Sequence, residues 1–285
     1  MSAIAALTAA RRDRWRWLLA PALAVLVVCF LYPLLDVLSL SVTEPEVGLG
    51  NFREFADSPV FGRVLWTTLR LSALVTLICL VIGYPYAYLM AASGPRMRAV
   101  LFVAVLVPLW SSILVRTYAW TVLLQRNGVV NNLLMDLGLV DEPLTLLHNA
   151  TGVLIGMTHI MLPFMVLPIY AVMRRVDHTL ITAAESLGAR PSRAFAAVFL
   201  PLSLPGVLAG ALLVFVISLG YYITPSLLGG PREKMIGAMV VEQVQVARNW
   251  GMGATLGVVL LVVTIAVLLV LGRLVRLDRV LGEQT

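Results

Sequence analysis

A single arginine stands near the middle of an apolar stretch that is long enough to cross a membrane. Arg116 lies in PLWSSILVRTYAWTVLL, where hydroxyl and aromatic side chains surround it. A charged side chain inside a bilayer is costly, so it needs a polar cavity or polar partners. We therefore predict a polar solute path lined by Trp110, Ser112, Arg116, Tyr118 and Trp120. The alternative is a buried arginine that donates hydrogen bonds to carbonyls of neighbouring helices.

Two more aromatic residues, Tyr221 and Tyr222, stand at the end of another apolar run, just before Thr224 and Pro225. Tyrosine is typical of the membrane–water interface. Its ring also attracts cations, which suits the wall of a cavity for a cationic or polar solute. Both interpretations stay open, and we include the pair in the candidate path.

No motif for catalysis or for energy conversion occurs in the sequence. There is no G-x-x-x-x-G-K-[ST] phosphate loop, H-E-x-x-H helix, G-x-S-x-G elbow or paired His/Cys ligand set, and Lys234 is the only lysine. We therefore predict neither an enzyme nor a metal site. An ion-coupled carrier usually needs a carboxylate near the midplane, and only Asp36, near the end of a run, is available. Energy is expected from a partner.

The elements that position these residues are membrane-spanning helices. Of 285 residues, 60% are hydrophobic and 13% are charged, and the mean hydropathy is +0.94. The apolar runs match helices of about 20 residues, so the fold class is all-α and polytopic. We predict one transmembrane domain over residues 1–285 with six spans, at about 18–40, 65–90, 100–124, 152–173, 204–223 and 251–274.

The basic residues indicate the orientation of the spans. Arginines collect at the N-terminus (Arg11 to Arg16), after the second and fourth spans, and at the C-terminal end. By the positive-inside rule, both termini and the loop after span four lie in the cytoplasm. A net charge of +6 could also suggest nucleic acid, but the scatter of arginines beside apolar runs favours the lipid bilayer as the partner.

Two outer connections have apolar patterns of their own. The segment from Gly50 to Leu69 predicts a short interfacial helix that leads into span two, with a packed surface loop as the alternative. The connection from Gln125 to Ala150 carries two apolar patches, NNLLMDLGLV and PLTLLHNA. These patches predict short helices over the outer mouth.

The predicted cytoplasmic loop over residues 177–201 contains residues that are typical of helix starts and helix ends. Asp177 suits a helix N-cap, Gly188 suits the left-handed position after a helix end, and Pro191 suits the first turn of a second helix. The loop therefore predicts two short helices joined by a glycine turn. It is either a lever that is rigidly attached to a span or a passive linker.

The loop resembles a family motif. An E-A-A, three residues, G, nine residues, I-x-L-P pattern is matched at Ala183, Ala184, Gly188, Val198, Leu200 and Pro201, and it is typical of the permease subunits of ABC importers. The resemblance implies a type I ABC importer permease fold and a coupling helix that docks into a separate ATPase. It further implies two ATPase subunits that bind ATP and Mg²⁺, a second permease that is a different chain, and an extracytoplasmic solute-binding protein. This chain itself would bind no cofactor.

One position departs from the motif, because Thr182 stands where the family has glutamate. Glu185 follows three residues later, about one helical turn on, and we hypothesise that it supplies the missing carboxylate. Thr182 and Glu185 are therefore included in the predicted coupling loop.

Further stretches resemble the PotB/PotH type of permease in spermidine/putrescine importers, namely GYPYAYLMA, VPLWSSILVRTYAW, GVVNNLLMDLGLVD, LPFMVLPIY and LLGGPREKMIG. The resemblance implies a bacterial inner-membrane protein that moves a polyamine or a related amine or amino-acid-like compound. Arg116 would repel a cation and favour an anionic or zwitterionic solute. The alternative function is an ion-coupled carrier or channel that works without an ATPase.

Overall fold

The computed structural model describes residues 20–282. These residues form twelve helices of at least six residues, one short 3-10 helix at Pro231–Glu233 and no β-strand, in agreement with the all-α prediction. The helices are α1 (Ala20–Thr43), α2 (Gly50–Asp57), α3 (Pro59–Ala92), α4 (Pro95–Trp110), α5 (Ile113–Leu124), α6 (Val129–Asp136), α7 (Ala150–Met173), α8 (His178–Ser186), α9 (Pro191–Leu219), α10 (Ile223–Leu228), α11 (Ile236–Val246) and α12 (Trp250–Gly282).

Five of the described helices are long and apolar enough to cross a membrane: α1, α3, α7, α9 and α12. They correspond to predicted spans one, two, four, five and six. Residues 18 and 19 of span one, and the arginines at positions 11 to 16, lie outside the described residues. That both termini are cytoplasmic therefore stays a prediction.

Span three is not the continuous helix that the apolar pattern over residues 100–124 predicted. Helix α4 meets the segment Ile113–Asp136, which comprises α5 and α6, at a bend of 101°. Pro108 lies in the last turn of α4, and the hydroxyl of Ser111 donates to its carbonyl at 2.9 Å. Ser111 and Ser112 then adopt extended backbone angles. Proline removes a helical hydrogen bond, and a serine hydroxyl competes for another, so the helix ends here.

Span five also differs from its prediction. Helix α9 ends at Leu219 and not at residue 223, because Gly220 follows and the backbone then leaves the helical region. At its other end α9 continues to Pro191, so the second predicted loop helix and span five are one helix of 29 residues. A π-helical segment interrupts it at Phe195–Phe199.

The described residues divide into two compact units. The larger comprises residues 58–239 and 260–282, and its core lies among α3, α7 and α9. Two glycines bring α9 against α7: a Cβ atom at Gly206 would lie 3.0 Å from the Cα of Ile169, and one at Gly210 would lie 2.9 Å from the carbonyl oxygen of Met165. Glycine is therefore required for this close backbone approach.

The smaller unit comprises residues 20–57 and 240–259. Asn51, in α2, is buried and donates through Nδ2 to the carbonyls of Ser41 and Glu44, at 3.2 and 2.6 Å. These bonds tie α2 to the end of α1. The short helix predicted between Gly50 and Leu69 is thus α2, followed at once by α3.

The outer connection between α5 and α7 holds one helix rather than the predicted two. Helix α6 covers the first apolar patch, whereas residues 143–149 of the second patch are not helical. The side chain of Asn131 organises this connection. Its Nδ2 donates to the carbonyls of Gln125 and Leu144, and its Oδ1 accepts from the backbone N–H of Leu144. The backbone of the second patch is therefore fixed at Leu144 by hydrogen bonds to the Asn131 side chain and not by the hydrogen bonds of a helix.

Candidate functional site

The coupling loop has the local structure that its sequence predicted. Asp177 caps α8 by accepting a hydrogen bond from the backbone N–H of Thr179 at 2.9 Å. Gly188 has φ +92°, the left-handed conformation that glycine favours after a helix end. Pro191 begins α9. Each of these three features confirms its prediction.

The residues of the motif lie at the surface of this loop. Thr182, Ala183, Glu185, Gly188, Leu200 and Pro201 are exposed, and Ala184 and Val198 are half-buried. Thr182 and Glu185 are three residues apart on α8 and therefore share one side of the helix. The hypothesis that Glu185 replaces the missing glutamate stays a prediction.

Sequence reasoning missed two leucines beside the motif. Leu180 is 48% exposed and Leu187 is 90% exposed. They are separated by two helical turns and lie on one face of the loop, together with Ala183. Leu187 has the highest exposed fraction of any large apolar side chain among the described residues. The i, i+7 spacing of leucines around a small residue is the signal that could have found them.

Aromatic rings join the start of α9 to α3. The ring of Tyr88 packs edge-on against Phe195 and Phe199, with centroids 5.5 and 5.4 Å apart. One turn earlier on α3, the hydroxyl of Tyr84 lies 3.0 Å from that of Ser203. The two phenylalanines bound the π-helical segment, a feature that is frequent at functional sites.

The second candidate site is a polar cluster where α5, α7 and the segment around Tyr221 meet. The indole N–H of Trp120 donates to Nδ1 of His159 at 3.2 Å. The hydroxyls of Thr117 and Thr224 are also 3.2 Å apart. Arg116 lies beside this cluster, because it is buried, it precedes Thr117 on α5, and it is close enough to His159 and Tyr221 for its charge to act on both.

Arg116 is 9% exposed, and its Nε and Nη1 atoms are buried without a hydrogen-bond partner. No carboxylate of the described residues forms an ion pair with Arg116, and no carbonyl of these residues accepts a hydrogen bond from Nε or Nη1. These two nitrogens therefore do not fit the alternative of an arginine satisfied by neighbouring carbonyls. An unpaired buried guanidinium is suited to receive an anionic group.

The predicted path residues divide into two groups. Arg116, Trp120 and Tyr221 come together in the polar cluster. Four others are exposed on the surface of the chain: Trp110 at the end of α4, Ser112 at the bend, Tyr118 and Tyr222. Sequence reasoning missed His159 and Thr224 as members of the cluster. Within the part of the chain that the structure describes, no three His, Cys, Asp or Glu side chains are grouped as metal ligands.

Residues 80–277 match the family described as binding-protein-dependent transport system inner membrane component. The chain is 36% identical over 201 residues to the spermidine/putrescine transport system permease protein PotB of Haemophilus influenzae, covering 70% of each chain. It is 35% identical over 229 residues to PotB of Escherichia coli, covering 80% of this chain and 83% of that one. It is also 36% identical over 233 residues to the inner membrane ABC transporter permease protein YdcU of Escherichia coli, covering 77% and 73%.

Solved structures share the fold. A chain of a bacterial alginate ABC transporter, in complex with its periplasmic protein, superposes with a TM-score of 0.76 at 21% identity, over 93% of this chain and 95% of that one. A chain of the MetNI methionine ABC transporter superposes with a TM-score of 0.59 at 18% identity, over 76% and 95%. The chain therefore belongs to the binding-protein-dependent transport system inner membrane components, and it is an inner-membrane permease of an ABC importer with the type I fold.

Proposed function

We propose that this permease forms half of the translocation path for a polyamine, or for a related amine or amino-acid-like compound, by alternating access driven by a separate ATPase. The observation that carries the proposed solute class is the 35% identity over 229 residues to a permease of a spermidine/putrescine transport system. The other half of the path comes from a second permease, a different chain of the same family. A solute-binding protein delivers the solute from outside.

The driving force enters at the coupling loop. Two ATPase subunits bind ATP and Mg²⁺ and hydrolyse ATP, while this chain contributes no residue to that chemistry. Leu180 and Leu187 supply the apolar area with which α8 seats in a groove of one ATPase subunit. Support comes from their exposure of 48% and 90%, which a partner surface would remove from water.

Movement of the docked loop reaches the path through α9. The loop's second half forms about the first three turns of α9, and Tyr88 packs on Phe195 and Phe199 in that region. A displacement of α8 is therefore passed to α3 and α9 together. Alternating access follows when these helices shift against their counterparts in the second permease.

The aromatic members of the path suit an amine. Trp120 and Tyr221 lie in the polar cluster, and their ring faces attract ammonium groups through cation–π interaction. Tyr222 and Tyr118 are exposed on the surface of this chain and would face the second permease or lipid. The carboxylates that a polyamine needs would come from the second permease.

The test first asks whether the permease assembles with its partner subunits, and then measures the ATPase activity of the complex. The permease is purified in mild detergent with its ATPase, second permease and binding protein, and ATP hydrolysis is measured with amines and amino acids. Replacing Leu187 with Asp is expected to reduce recovery of the ATPase by at least about tenfold, because a charge replaces the apolar contact. Leu139→Asp is the matched control, since Leu139 is 66% exposed in the outer connection.

Two results would contradict the proposal. One is recovery of the ATPase with Leu187→Asp at the level of the unsubstituted protein and the Leu139→Asp control. The other is solute uptake by this chain purified alone in liposomes, driven by an ion gradient and without ATP, which would make it an ion-coupled carrier.

A further inference from the structure

We propose that Arg116 binds a negatively charged group of the transported solute, so that the solute of this permease is an amine that also carries a carboxylate. This inference rests on the proposed function and narrows its solute class. A simple polyamine carries only ammonium groups and would leave Arg116 unpaired. A zwitterionic amine would satisfy both the arginine and the aromatic rings of the polar cluster.

The first support is the position of Arg116 within the membrane. Helix α4 has 16 residues and α5 has 12, so at about 1.5 Å per residue they measure about 24 and 18 Å. Neither helix alone crosses a hydrocarbon core of about 30 Å. If the two helices form one broken span, the bend at Ser111 and Ser112 lies within the bilayer, and Arg116 follows it by one helical turn.

The second support is the direction of the helix dipole. Ser112 is the residue before α5, and no side chain caps the free backbone N–H groups of its first turn. The N-terminus of a helix carries a partial positive charge and favours anions. Interrupted membrane helices of transporters present such termini to anionic groups of their solutes. Arg116 adds a full positive charge to the same turn.

The third support is that no acidic side chain of the described residues forms an ion pair with Arg116. Its Nε and Nη1 atoms are buried and unpaired, and the two side chains on which its charge acts, His159 and Tyr221, carry no negative charge in their ordinary forms. A guanidinium offers a planar fork of N–H donors that matches a carboxylate. A carboxylate that arrives with the solute would complete the hydrogen bonds that the described residues leave open.

The experiment compares solutes that differ only by the carboxylate. Ornithine is putrescine with one added carboxylate, and lysine is cadaverine with one added carboxylate. ATP hydrolysis by the complete complex in nanodiscs is measured with each of the four solutes. The same binding protein is present in every assay. The quantity compared is the ratio of the ATPase activity with ornithine to the activity with putrescine. If a substitution in the permease changes this ratio, the change arises in the permease.

We expect the carboxylate-bearing member of at least one pair to stimulate hydrolysis more than its partner. In Arg116→Gln the stimulation by that solute should fall by about tenfold, whereas stimulation by the diamine should change by less than about twofold. Arg116→Lys keeps the charge but loses the fork, so an intermediate loss is expected. Arg70→Gln, an exposed arginine of α3, is the matched control and should leave the ratio unchanged.

The outcomes separate this inference from the proposed function. The inference is overturned if the diamines stimulate as well as the amino acids, if neither amino acid stimulates a complex that assembles and hydrolyses MgATP, or if Arg116→Gln leaves the ratio unchanged. Each of these results leaves the ATPase-driven importer intact. Failure of the unsubstituted permease to associate with an ATPase would instead contradict the proposed function itself.

Discussion

The hydroxyl of Tyr84 on α3 lies 3.0 Å from the hydroxyl of Ser203 on α9, and Ser203 is fully buried. The serine hydroxyl also reaches the carbonyl oxygen of Leu200 at 2.8 Å. This chain of bonds links the membrane-spanning part of α3 to the turn of α9 that follows the coupling loop. A polar contact within an apolar core therefore connects α3 to the part of α9 that follows the loop.

We expect Tyr84→Phe to weaken this link. One hydrogen bond is lost, at a net cost of about 1 kcal/mol in the free energy of unfolding, or a fall of about 2 °C in Tm. ATP hydrolysis should become less dependent on solute, because the ATPase then moves with less resistance from α3. The measurement is solute-stimulated over basal ATPase activity in nanodiscs.

Tyr86→Phe is the control for this substitution. The hydroxyl of Tyr86 donates to the carbonyl of Leu101 at 2.8 Å, so the control loses a similar bond between α3 and α4. An equal loss of solute dependence in both variants would argue against a specific role for the bond between Tyr84 and Ser203.

Adding one methyl group at Gly210 should destabilise the permease. The new Cβ would lie 2.9 Å from the carbonyl oxygen of Met165, and this backbone atom cannot rotate away. Forcing α7 and α9 apart is expected to cost about 1–3 kcal/mol, seen as a lower Tm in detergent. Gly257→Ala is the matched control because its Cβ would meet open space, so Tm should stay or rise. Equal Tm values would refute the close packing.

Replacing Asn131 with Asp should loosen the outer connection. Asn131 is fully buried, and its Nδ2 donates to two carbonyls, which an aspartate oxygen would repel. We expect a loss of about 2 kcal/mol and faster proteolysis between residues 125 and 150. The adjacent Asn132 is exposed, so Asn132→Asp should be cut at the original rate. Identical cleavage rates for the two variants would exclude this role for Asn131.

The role of Glu185 can be tested by moving the carboxylate. Glu185→Ala should weaken the affinity for the ATPase by about twofold to fivefold, as expected for one exposed charged contact. Adding Thr182→Glu to this variant should restore binding, because that position carries the glutamate of the family motif. Glu142→Ala, which removes an exposed carboxylate from the outer connection, serves as the control. Unchanged affinity in Glu185→Ala would end the hypothesis.

Local features of the coupling loop were predictable because short-range rules decide them. Asp177, Gly188 and Pro191 each act within a few residues, through a cap, a left-handed turn and a fixed φ angle. The bend at Ser111 and Ser112 was missed because apolar residues continue on both sides of it. Hydropathy reports burial in lipid and not the continuity of a helix.

The polar cluster could be predicted only in part. Arg116 was evident as an isolated charge in an apolar run. Its neighbours could not be found from local patterns, since Trp120 and His159 are 39 residues apart and Thr117 and Thr224 are 107 residues apart. Such contacts depend on how helices pack, and no spacing rule within one helix encodes them. Trp110 and Tyr118 were included in the path by proximity in sequence. Both are exposed on this chain, and their place in the path stays a prediction.

The continuity of α9 also gives the permease a pivot. With 29 residues, α9 is about 43 Å long, and Gly206, where it touches the backbone of α7, is near its middle. We treat α9 as a rigid rod with a rise of about 1.5 Å per residue. A rotation of roughly 10° about Gly206 then moves its two ends by about 4 Å in opposite directions. One end belongs to the coupling loop, and Tyr221 follows the other. A displacement of the coupling-loop end would therefore move Tyr221 in the opposite direction.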